Sequence, residues 1–297
     1  MGPTGVDEVA ALPDCRGSSN LSAYSETPCM KLILRLFATS LITSVVGAGV
    51  SHSASAAPSV ADSRVYELRT YTAHVGKFEA VLARFRDHTT KLFEKQGMVN
   101  LGYWVPLDAA DGAGQKLIYL LAHASREAAT ASWKAFSADP VWKEVRTASE
   151  VNGKIVAKVE SVFLSATDFS PAIRSSIASP SRVFELRTYT TPEARLEALD
   201  ARFRDHTVAL FKQHGMTNVA YFHPIDADKG AGRTLIYLLA HASREAAAAS
   251  FAAFRADPKW VAARKSSEVP FGGSLTMPQP EGVRSVFLAP TDFSATK

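Results

Sequence analysis

Residues 117–129 read LIYLLAHASREAA, and the same letters return unchanged at residues 235–247. The first half of this segment is apolar and rich in residues that favour strands, so it predicts a strand in each copy. Alternate side chains of a strand point to opposite faces, and here both sets are apolar. Such a strand belongs to a sheet that is covered on both faces. The Ser-Arg-Glu that follows predicts the start of a helix.

The repetition extends over most of the chain. Residues 64–72 (RVYELRTYT) return as RVFELRTYT at residues 182–190, with the same spacing as the first segment. Copy 2 then has a short insertion around residues 270–282. After it, the sequences of the two copies match again to their ends. The period is much longer than that of solenoid repeats, so each copy is predicted to be a domain. The predicted boundaries are residues 57–170 for domain 1, 171–181 for a linker and 182–297 for domain 2.

Each copy reads as strand, helix, strand, strand, helix, strand. Two helices can cover only one face of a sheet that is apolar on both, and the second copy is available to cover the other face. The predicted fold is therefore α+β, with two tandem ferredoxin-like βαββαβ domains packed sheet to sheet. They would form an intrachain pseudo-dimeric α+β barrel with the helices outside.

The N-terminus has the pattern of an export signal. Residues 30–56 hold Lys31 and Arg35, then an uncharged apolar run, then Ala54-x-Ala56, which predicts cleavage after Ala56. The apolar run is short for a membrane anchor, which needs roughly 20 residues. Residues 1–29 fit no part of a signal and are interpreted as an upstream extension from a mis-called start, with Met30 as the true start. A periplasmic or secreted bacterial protein is expected.

Composition excludes several classes of protein. The chain has 297 residues, of which 46% are hydrophobic and 21% charged, which excludes disordered, collagen-like and multi-pass membrane proteins. The formal net charge of +4 is small and spread out, so no nucleic-acid partner is expected. Cys15 and Cys29 both precede the predicted cleavage site, so the mature protein would fold without disulfides.

Five short motifs occur in order in copy 1: YELRTY (66–71), GM (97–98), YLLA (119–122), AFxADPxW (135–142) and TDFSP (167–171). Copy 2 repeats them, with Phe184 in place of the first tyrosine and without the final proline. Together they resemble the NIPSNAP family, which is similar to a branch of the dimeric α+β barrel superfamily. The resemblance implies the fold derived above. Superfamily relatives include cofactor-free monooxygenases, a lactone isomerase and haem enzymes, but the NIPSNAP family has no well-defined catalytic residues to carry over.

His88 and His206 are the candidate catalytic residues. His88 follows Phe85 by three positions and precedes Leu92 by four, which places it on the apolar stripe of the first helix, facing the sheet. An imidazole there could act as an acid, a base or a ligand anchor. It could equally be a core histidine that is satisfied by a polar neighbour.

Charged residues in the first strand are candidates for binding. Glu67 and Arg69, like Glu185 and Arg187, share one strand face and are expected to be partly buried and paired. They could form a polar patch inside the barrel or a pocket that binds an anionic group. The alternative is a structural ion-pair network across the pseudo-dimer interface.

Aromatic residues near these charges could line a ligand pocket or simply pack the core. His123 and His241, which end the third strand of each copy, are expected to be exposed. The aromatic candidates for ligand binding are Tyr71, Tyr103 and Tyr119, with Tyr189, Tyr221 and Tyr237 in copy 2.

No metal or cofactor is predicted, because the sequence lacks HxxxH and HxH motifs and has no cysteine after residue 56. Haem would need His88 or His206 as an axial ligand, and nothing else marks a haem pocket. The expected function is binding of a small apolar ligand or a protein partner. A cofactor-independent oxygenase or isomerase, with a His in each helix–sheet pocket, and an assembly scaffold are the alternatives. A monomer or a loose homodimer is expected, and residues 270–282 could either cover a site or form a surface loop.

Overall fold

The computed structural model describes residues 62–297. The predicted upstream extension and signal peptide therefore lie outside the described residues. Below, copy 1 denotes residues 62–170 and copy 2 denotes residues 182–297.

Copy 1 has four strands and two interrupted helical segments. The first helical segment contains a π-helical turn at Phe85–Thr89, between α1 and α2. The second bends at Asp139, whose side chain caps α4 by accepting a hydrogen bond from Val141. The elements are β1 (Val65–Ala73), α1 (Phe78–Arg84), α2 (Thr90–Lys95), β2 (Val99–Pro106), β3 (Lys116–His123), α3 (Arg126–Ala138), α4 (Pro140–Ser149) and β4 (Val156–Ala166).

Copy 2 repeats this order, including the π-helical turn at Phe203–Thr207. Its elements are β5 (Val183–Thr190), α5 (Leu196–Arg202), α6 (Val208–Gln213), β6 (Thr217–Pro224), β7 (Thr234–His241), α7 (Arg244–Ala256), α8 (Pro258–Glu268) and β8 (Val283–Pro290).

The eight strands form one closed barrel in the order β1-β3-β2-β8-β5-β7-β6-β4. Within each copy the order is that of a ferredoxin-like sheet, and the predicted pseudo-dimeric α+β barrel is confirmed. The two sheets also join edge to edge, through short ladders between β2 and β8 and between β4 and β6. Closure leaves no unpaired strand edge in the barrel.

A pseudo-two-fold axis relates copy 1 to copy 2, and it coincides with the axis of the barrel. Every neighbouring pair of strands is antiparallel, so β1 and β5, four steps apart in the barrel, run in the same direction. Equivalent residues of the two copies therefore lie at the same height along the axis. Each end of the barrel lies on the two-fold and is built from both copies.

The barrel interior is filled by apolar side chains from both copies. Tyr66 packs on Phe222 with ring centroids 5.0 Å apart, and Trp104 packs on Phe184 at 5.5 Å. Ile173, from the predicted linker, is buried in the same cluster. The remaining void of about 20 Å³ has room for about one water molecule and none for an organic ligand.

The third strand of each copy is buried on both faces, as its sequence predicted. Leu117, Tyr119 and Leu121 face the helices, whereas Ile118 and Leu120 face the barrel interior. The helix that follows begins as expected, because the Ser125 hydroxyl accepts a hydrogen bond from the Ala128 amide at 3.1 Å.

The insertion in copy 2 packs against its own copy. Leu275 is fully buried in the helix–sheet cluster of copy 2. The Met277 amide donates to the Thr190 carbonyl oxygen at 2.8 Å, and Arg195 donates to the Ser274 carbonyl oxygen at 2.6 Å. The insertion therefore extends the core of copy 2 and is held by the end of β5 and by Arg195, which precedes α5.

Candidate functional site

His88 and His206 point away from the sheet, which contradicts their predicted orientation. Both side chains are exposed, whereas Phe85 and Thr89 are buried. The cause is the π-helical turn, in which the Thr90 amide bonds to the Phe85 carbonyl oxygen, five positions back. The wider turn brings Thr89 onto the apolar face where a regular α-helix would bring His88. His88 instead lines an open groove of about 440 Å³ between α1 and α4.

Glu67 is the centre of a buried polar network in copy 1. Its carboxylate accepts hydrogen bonds from four donors, and its side chain is 1% exposed. One oxygen, Oε1, accepts from Arg69 Nη1 at 2.5 Å and Ser161 Oγ at 2.6 Å. The other, Oε2, accepts from Trp133 Nε1 at 2.7 Å and His123 Nε2 at 3.1 Å. We call this set the Glu67 network.

Copy 2 holds the equivalent Glu185 network, with one difference. Glu185 accepts from Arg187, Ser285 and, at 3.1 Å, His241 Nε2. Phe251 stands where copy 1 has Trp133, so the indole hydrogen bond is missing. The Arg187 guanidinium still stacks on that ring at 4.7 Å, compared with 4.1 Å for Arg69 over Trp133.

The two networks lie outside the barrel, under α3 and α7. The predicted pairing of Glu67 with Arg69 and of Glu185 with Arg187 is observed, but the pairs are neither inside the barrel nor across the interface between copies. All members of each network belong to one copy. This follows from strand alternation, because Glu67 shares its face with Tyr71, which packs against the helices, whereas Leu68 faces the interior.

His123 and His241 were expected to be exposed, and that expectation is wrong. Each is only 2% exposed. Their strands are central in the sheet and their side chains point to the helix-covered face, where the buried glutamate supplies a hydrogen-bond acceptor. Sequence position at a strand end, before a cap, gave no sign of that acceptor.

The surroundings of Glu67 stabilise the ionised form of its carboxylate. Burial alone would raise the pKa of Glu67, but the hydrogen bond from His123 and the charge of Arg69 outweigh it and lower the pKa to about 2. Burial raises the pKa of Tyr119 well above its usual value. A carboxylate with so low a pKa is a poor proton carrier near neutral pH, so the network is suited to holding the strand and helix together.

The predicted tyrosines lie together and pack against one another and against a phenylalanine ring. Tyr103 stacks on Tyr119 with centroids 5.2 Å apart, and Phe85 fills the gap beside both. The Arg69 guanidinium donates to the Tyr119 hydroxyl at 2.9 Å. Tyr189, Tyr221 and Tyr237 form the same arrangement around Phe203 in copy 2.

One end of the barrel opens into a cavity of about 380 Å³ on the two-fold axis. We call it the barrel mouth. Its floor is aliphatic and overlies the filled interior, its wall carries threonine hydroxyls, and its rim carries charges. The floor residues are Leu68, Ile118, Val162, Leu186, Ile236 and Val286; the wall residues are Thr70, Thr188, Thr190 and Thr234; the rim residues are Asp111, Lys116, Glu160, Lys229 and Arg284.

Most rim charges have a partner of opposite sign. Arg284 Nη2 lies 3.8 Å from Asp111 Oδ1, and Lys158 Nζ lies 2.8 Å from Glu160 Oε1. Lys229 pairs with its neighbour Asp228 at 3.0 Å. Lys116, by contrast, has no carboxylate within 4.0 Å among residues 62–297.

Sequence reasoning missed the barrel mouth entirely. Thr70 and Thr188 alternate with the charged residues of their strands, so they belong to the interior face. The available signal was the difference between copies, since Asp111 and Glu160 of copy 1 correspond to Lys229 and Arg284 of copy 2. Two otherwise similar copies that differ in charge at such positions indicate a place where symmetry is broken.

Within residues 62–297, no group of three or more His, Cys, Asp or Glu side chains converges to hold a metal ion. In the same part of the chain, no helix is both long and apolar enough to cross a membrane.

The model of the NIPSNAP family matches residues 66–171 and 184–295 of this chain. No curated protein matches this chain. Among solved structures, an anthrone oxidase-like protein is 14% identical, with 80% of this chain and 95% of that one covered and a TM-score of 0.50.

Two further structures extend this comparison. An uncharacterised NIPSNAP domain protein from Burkholderia xenovorans is 22% identical, with 36% and 98% covered and a TM-score of 0.31. A provisionally assigned monooxygenase from Lactobacillus acidophilus NCFM is 13% identical, with 77% and 94% covered and a TM-score of 0.46. At such identities the likeness concerns the fold alone.

Proposed function

Since this chain belongs to the NIPSNAP family and closes two copies of that domain into one barrel, we propose that it binds a small amphipathic molecule at the barrel mouth. The observation that carries this proposal is a half-open cavity of about 380 Å³ that joins an aliphatic floor to a charged rim. We also propose that the protein acts in the periplasm or outside the cell, which rests on the signal-like sequence of residues 30–56.

The size of the cavity supports a small ligand. Pockets that bind small molecules typically measure roughly 300–1,000 Å³. The barrel mouth lies within that range, whereas the void deeper in the barrel, at about 20 Å³, does not. The ligand would therefore rest on top of the filled interior rather than thread into it.

The chemistry of the lining supports an apolar body with an anionic head group. The aliphatic floor would gain from excluding water around the ligand body. The Thr70 and Thr188 hydroxyls can donate to or accept from a polar group above it. Lys116 is a rim cation without a carboxylate beside it in residues 62–297, so a carboxylate or phosphate could take that place.

Catalysis by a cofactor-independent oxygenase or isomerase is the alternative, and it has less support. That reading needs an imidazole in an enclosed helix–sheet pocket, since such reactions profit from excluding water. His88 and His206 are exposed, and aromatic rings occupy the helix–sheet space behind them. Binding at the barrel mouth needs neither histidine.

The proposal predicts a specific pattern of binding. Decanoate and its uncharged counterpart decanol serve as probes, and isothermal titration calorimetry measures both. Lys116→Glu should weaken decanoate binding by about tenfold or more, because a charged hydrogen bond is worth roughly 1.5–3 kcal/mol and about 1.4 kcal/mol is tenfold. Decanol binding should change little. Thr188→Phe, which fills the mouth, should abolish binding of both probes.

Lys91→Glu is the matched control, because Lys91 is exposed on α2, away from the mouth. It makes the same change of charge and should leave both affinities unaltered. Native mass spectrometry of the protein from its own host would show whether a small molecule is retained. Unchanged binding in Thr188→Phe would refute the site, and a bare mass with neither probe bound would turn attention to a protein partner.

A further inference from the structure

We propose that Ser165, His223 and Asp200 form a Ser-His-Asp site that hydrolyses small, accessible esters. The three residues meet where β4 of copy 1 joins β6 of copy 2, which we call the β4–β6 seam. They lie on the outer face of the barrel wall, because the neighbouring Leu164 and Phe222 belong to the barrel interior. The site is therefore separate from the barrel mouth, and the proposal does not depend on whether the mouth binds a ligand.

The imidazole of His223 is held by a carboxylate. His223 Nε2 lies 3.1 Å from Oδ1 of Asp200, which projects from α5. An ionised carboxylate can only accept a hydrogen bond, so Nε2 carries the proton and Nδ1 is left as a base. The two side chains are 25% and 14% exposed, so the pair is fixed by its surroundings while the ring remains accessible. Asp200 thus orients the ring and balances the charge that the ring acquires when it takes up a proton.

Ser165 lies directly opposite His223 in the ladder between β4 and β6. Two positions further along, the Thr167 amide donates to the Tyr221 carbonyl oxygen at 3.0 Å, so Ser165 and His223 form a hydrogen-bonded pair of the same ladder. Side chains of such a pair rise from the same face with Cβ atoms about 5 Å apart. Ser165 is exposed, and rotation of its hydroxymethyl group brings Oγ within reach of Nδ1, the ring nitrogen nearer the backbone.

The equivalent seam on the other side of the barrel lacks all three polar residues. There β2 joins β8, and Val105 lies opposite Ala289. Leu82 stands on α1 at the position that Asp200 has on α5. Leu82 and Val105 pack against the helix–sheet cluster of copy 1, so apolar residues close a seam of this fold. The fold does not require the polar set, and three positions that differ together at one contact indicate a chemical role.

The surroundings of Ser165 suit a short acyl group. Next along the same face, the Ile225 amide donates to the Phe163 carbonyl oxygen at 2.9 Å, which places these two side chains beside the Ser165–His223 pair. Ile225 is 42% exposed and Phe163 is partly buried, so they offer apolar surface to an acyl chain. Because Ser165 itself is exposed, the substrate class is a small ester that can be reached at the protein surface.

Hydrolysis proceeds in two steps. In the first, Ser165 Oγ attacks the ester carbonyl carbon while His223 Nδ1 takes the hydroxyl proton; the ester C–O bond then breaks, and the alcohol leaves with that proton. In the second, a water molecule gives a proton to His223 and attacks the acyl-serine. The carboxylic acid leaves, and the same proton returns to Ser165. Water is the only co-reactant, and nothing is oxidised or reduced.

Hydrolysis of p-nitrophenyl butyrate by the full chain tests the proposal. Ser165→Ala should lower kcat/KM by about 100-fold or more, since it removes both the nucleophile and the proton transfer that activates it. The triple variant Ser165→Ala/His223→Val/Asp200→Leu copies the apolar seam of the same protein. It should unfold at or above the melting temperature of the parent and be as inactive as Ser165→Ala. The control Ser137→Ala, at an exposed serine of α3, should keep full activity.

A fluorophosphonate probe, which reacts with activated serines, gives a second readout. Mass spectrometry of peptides should find the adduct on Ser165 in the parent and no adduct in the triple variant. Asp200→Asn should lower kcat by about tenfold or more without raising KM, and Asp200→Glu should restore part of the loss, as expected of a positioning residue. Hydrolysis that survives in Ser165→Ala, a parent no faster than the triple variant, or an adduct only on another serine would overturn the proposal.

Discussion

Glu67→Gln should lower the free energy of unfolding by about 3–5 kcal/mol, the range measured when one partner of a buried ion pair is removed. The Glu67 carboxylate accepts from Arg69, Ser161, Trp133 and His123, and it is almost completely buried. The amide has one acceptor oxygen, and its NH₂ group would face donors. The charge of Arg69 would then lack its carboxylate partner in a site with little water.

Urea unfolding followed by circular dichroism measures this loss. Glu67→Gln/Arg69→Met is the informative comparison, because it removes the unpaired charge together with its partner. The double variant should be less destabilised than the sum of the two single variants. A loss below about 1 kcal/mol for Glu67→Gln would mean that the network contributes little to stability.

Stability in acid should depend on the same carboxylate. The pKa of Glu67 is lowered from 4.5 to about 2 in the folded protein, so the folded state gains from the ionised group at pH above 4.5. That gain is lost as the pH falls through about 2. The stability of the parent should therefore fall more steeply than that of Glu67→Gln between pH 4.5 and 2. Glu185 is present in both proteins and contributes equally to both profiles. Parallel profiles would therefore contradict the lowered pKa of Glu67.

Gly102→Ala should destabilise the fold by about 1–3 kcal/mol, the usual cost of overpacking a core. A Cβ atom at Gly102 would lie 2.2 Å from a ring carbon of Trp104. The indole is buried in the barrel interior against Phe184 and has little room to move. The cost arises from one methyl group in a place where the barrel is already filled.

Copy 2 supplies the compensating change. It has Ala220 at the position of Gly102 and Phe222 at the position of Trp104. Gly102→Ala/Trp104→Phe recreates that pair in copy 1 and should be more stable than Gly102→Ala alone, as measured by urea unfolding of both variants. If Gly102→Ala alone matched the parent, the indole would have to shift without cost.

The predictable part of this protein follows from local patterns. The apolar run of residues 117–122 required a sheet that is buried on both faces, and the repeat supplied the second cover. Ser125, a residue type that favours the N-cap position, correctly predicted the start of α3. The pairing of Glu67 with Arg69 was expected because residues two apart in a strand share a face, and it is observed.

The errors concern the direction in which side chains point. His88 lies on the apolar stripe if the helix is regular, but a single π-helical turn moves it to solvent. Helical periodicity assumes a constant rotation per residue, so it cannot reveal such a turn. The burial of His123 depends on a hydrogen bond to Glu67, which lies in another strand, 56 residues away in the chain. No local pattern around His123 contains that acceptor.

Sequence alone determined the duplication, because the same letters return at a constant spacing, and it determined the α+β class and the burial of the third strand on both faces, because these depend on the pattern within each copy. Only the tertiary structure decided which strands join the two sheets into the predicted barrel, that the Glu67 network lies under α3, and that a charged mouth opens on the two-fold axis. Barrel closure brings Asp111 and Glu160 of copy 1 to the same rim as Lys229 and Arg284 of copy 2. The distances that matter there arise from long-range packing, which a linear spacing does not encode.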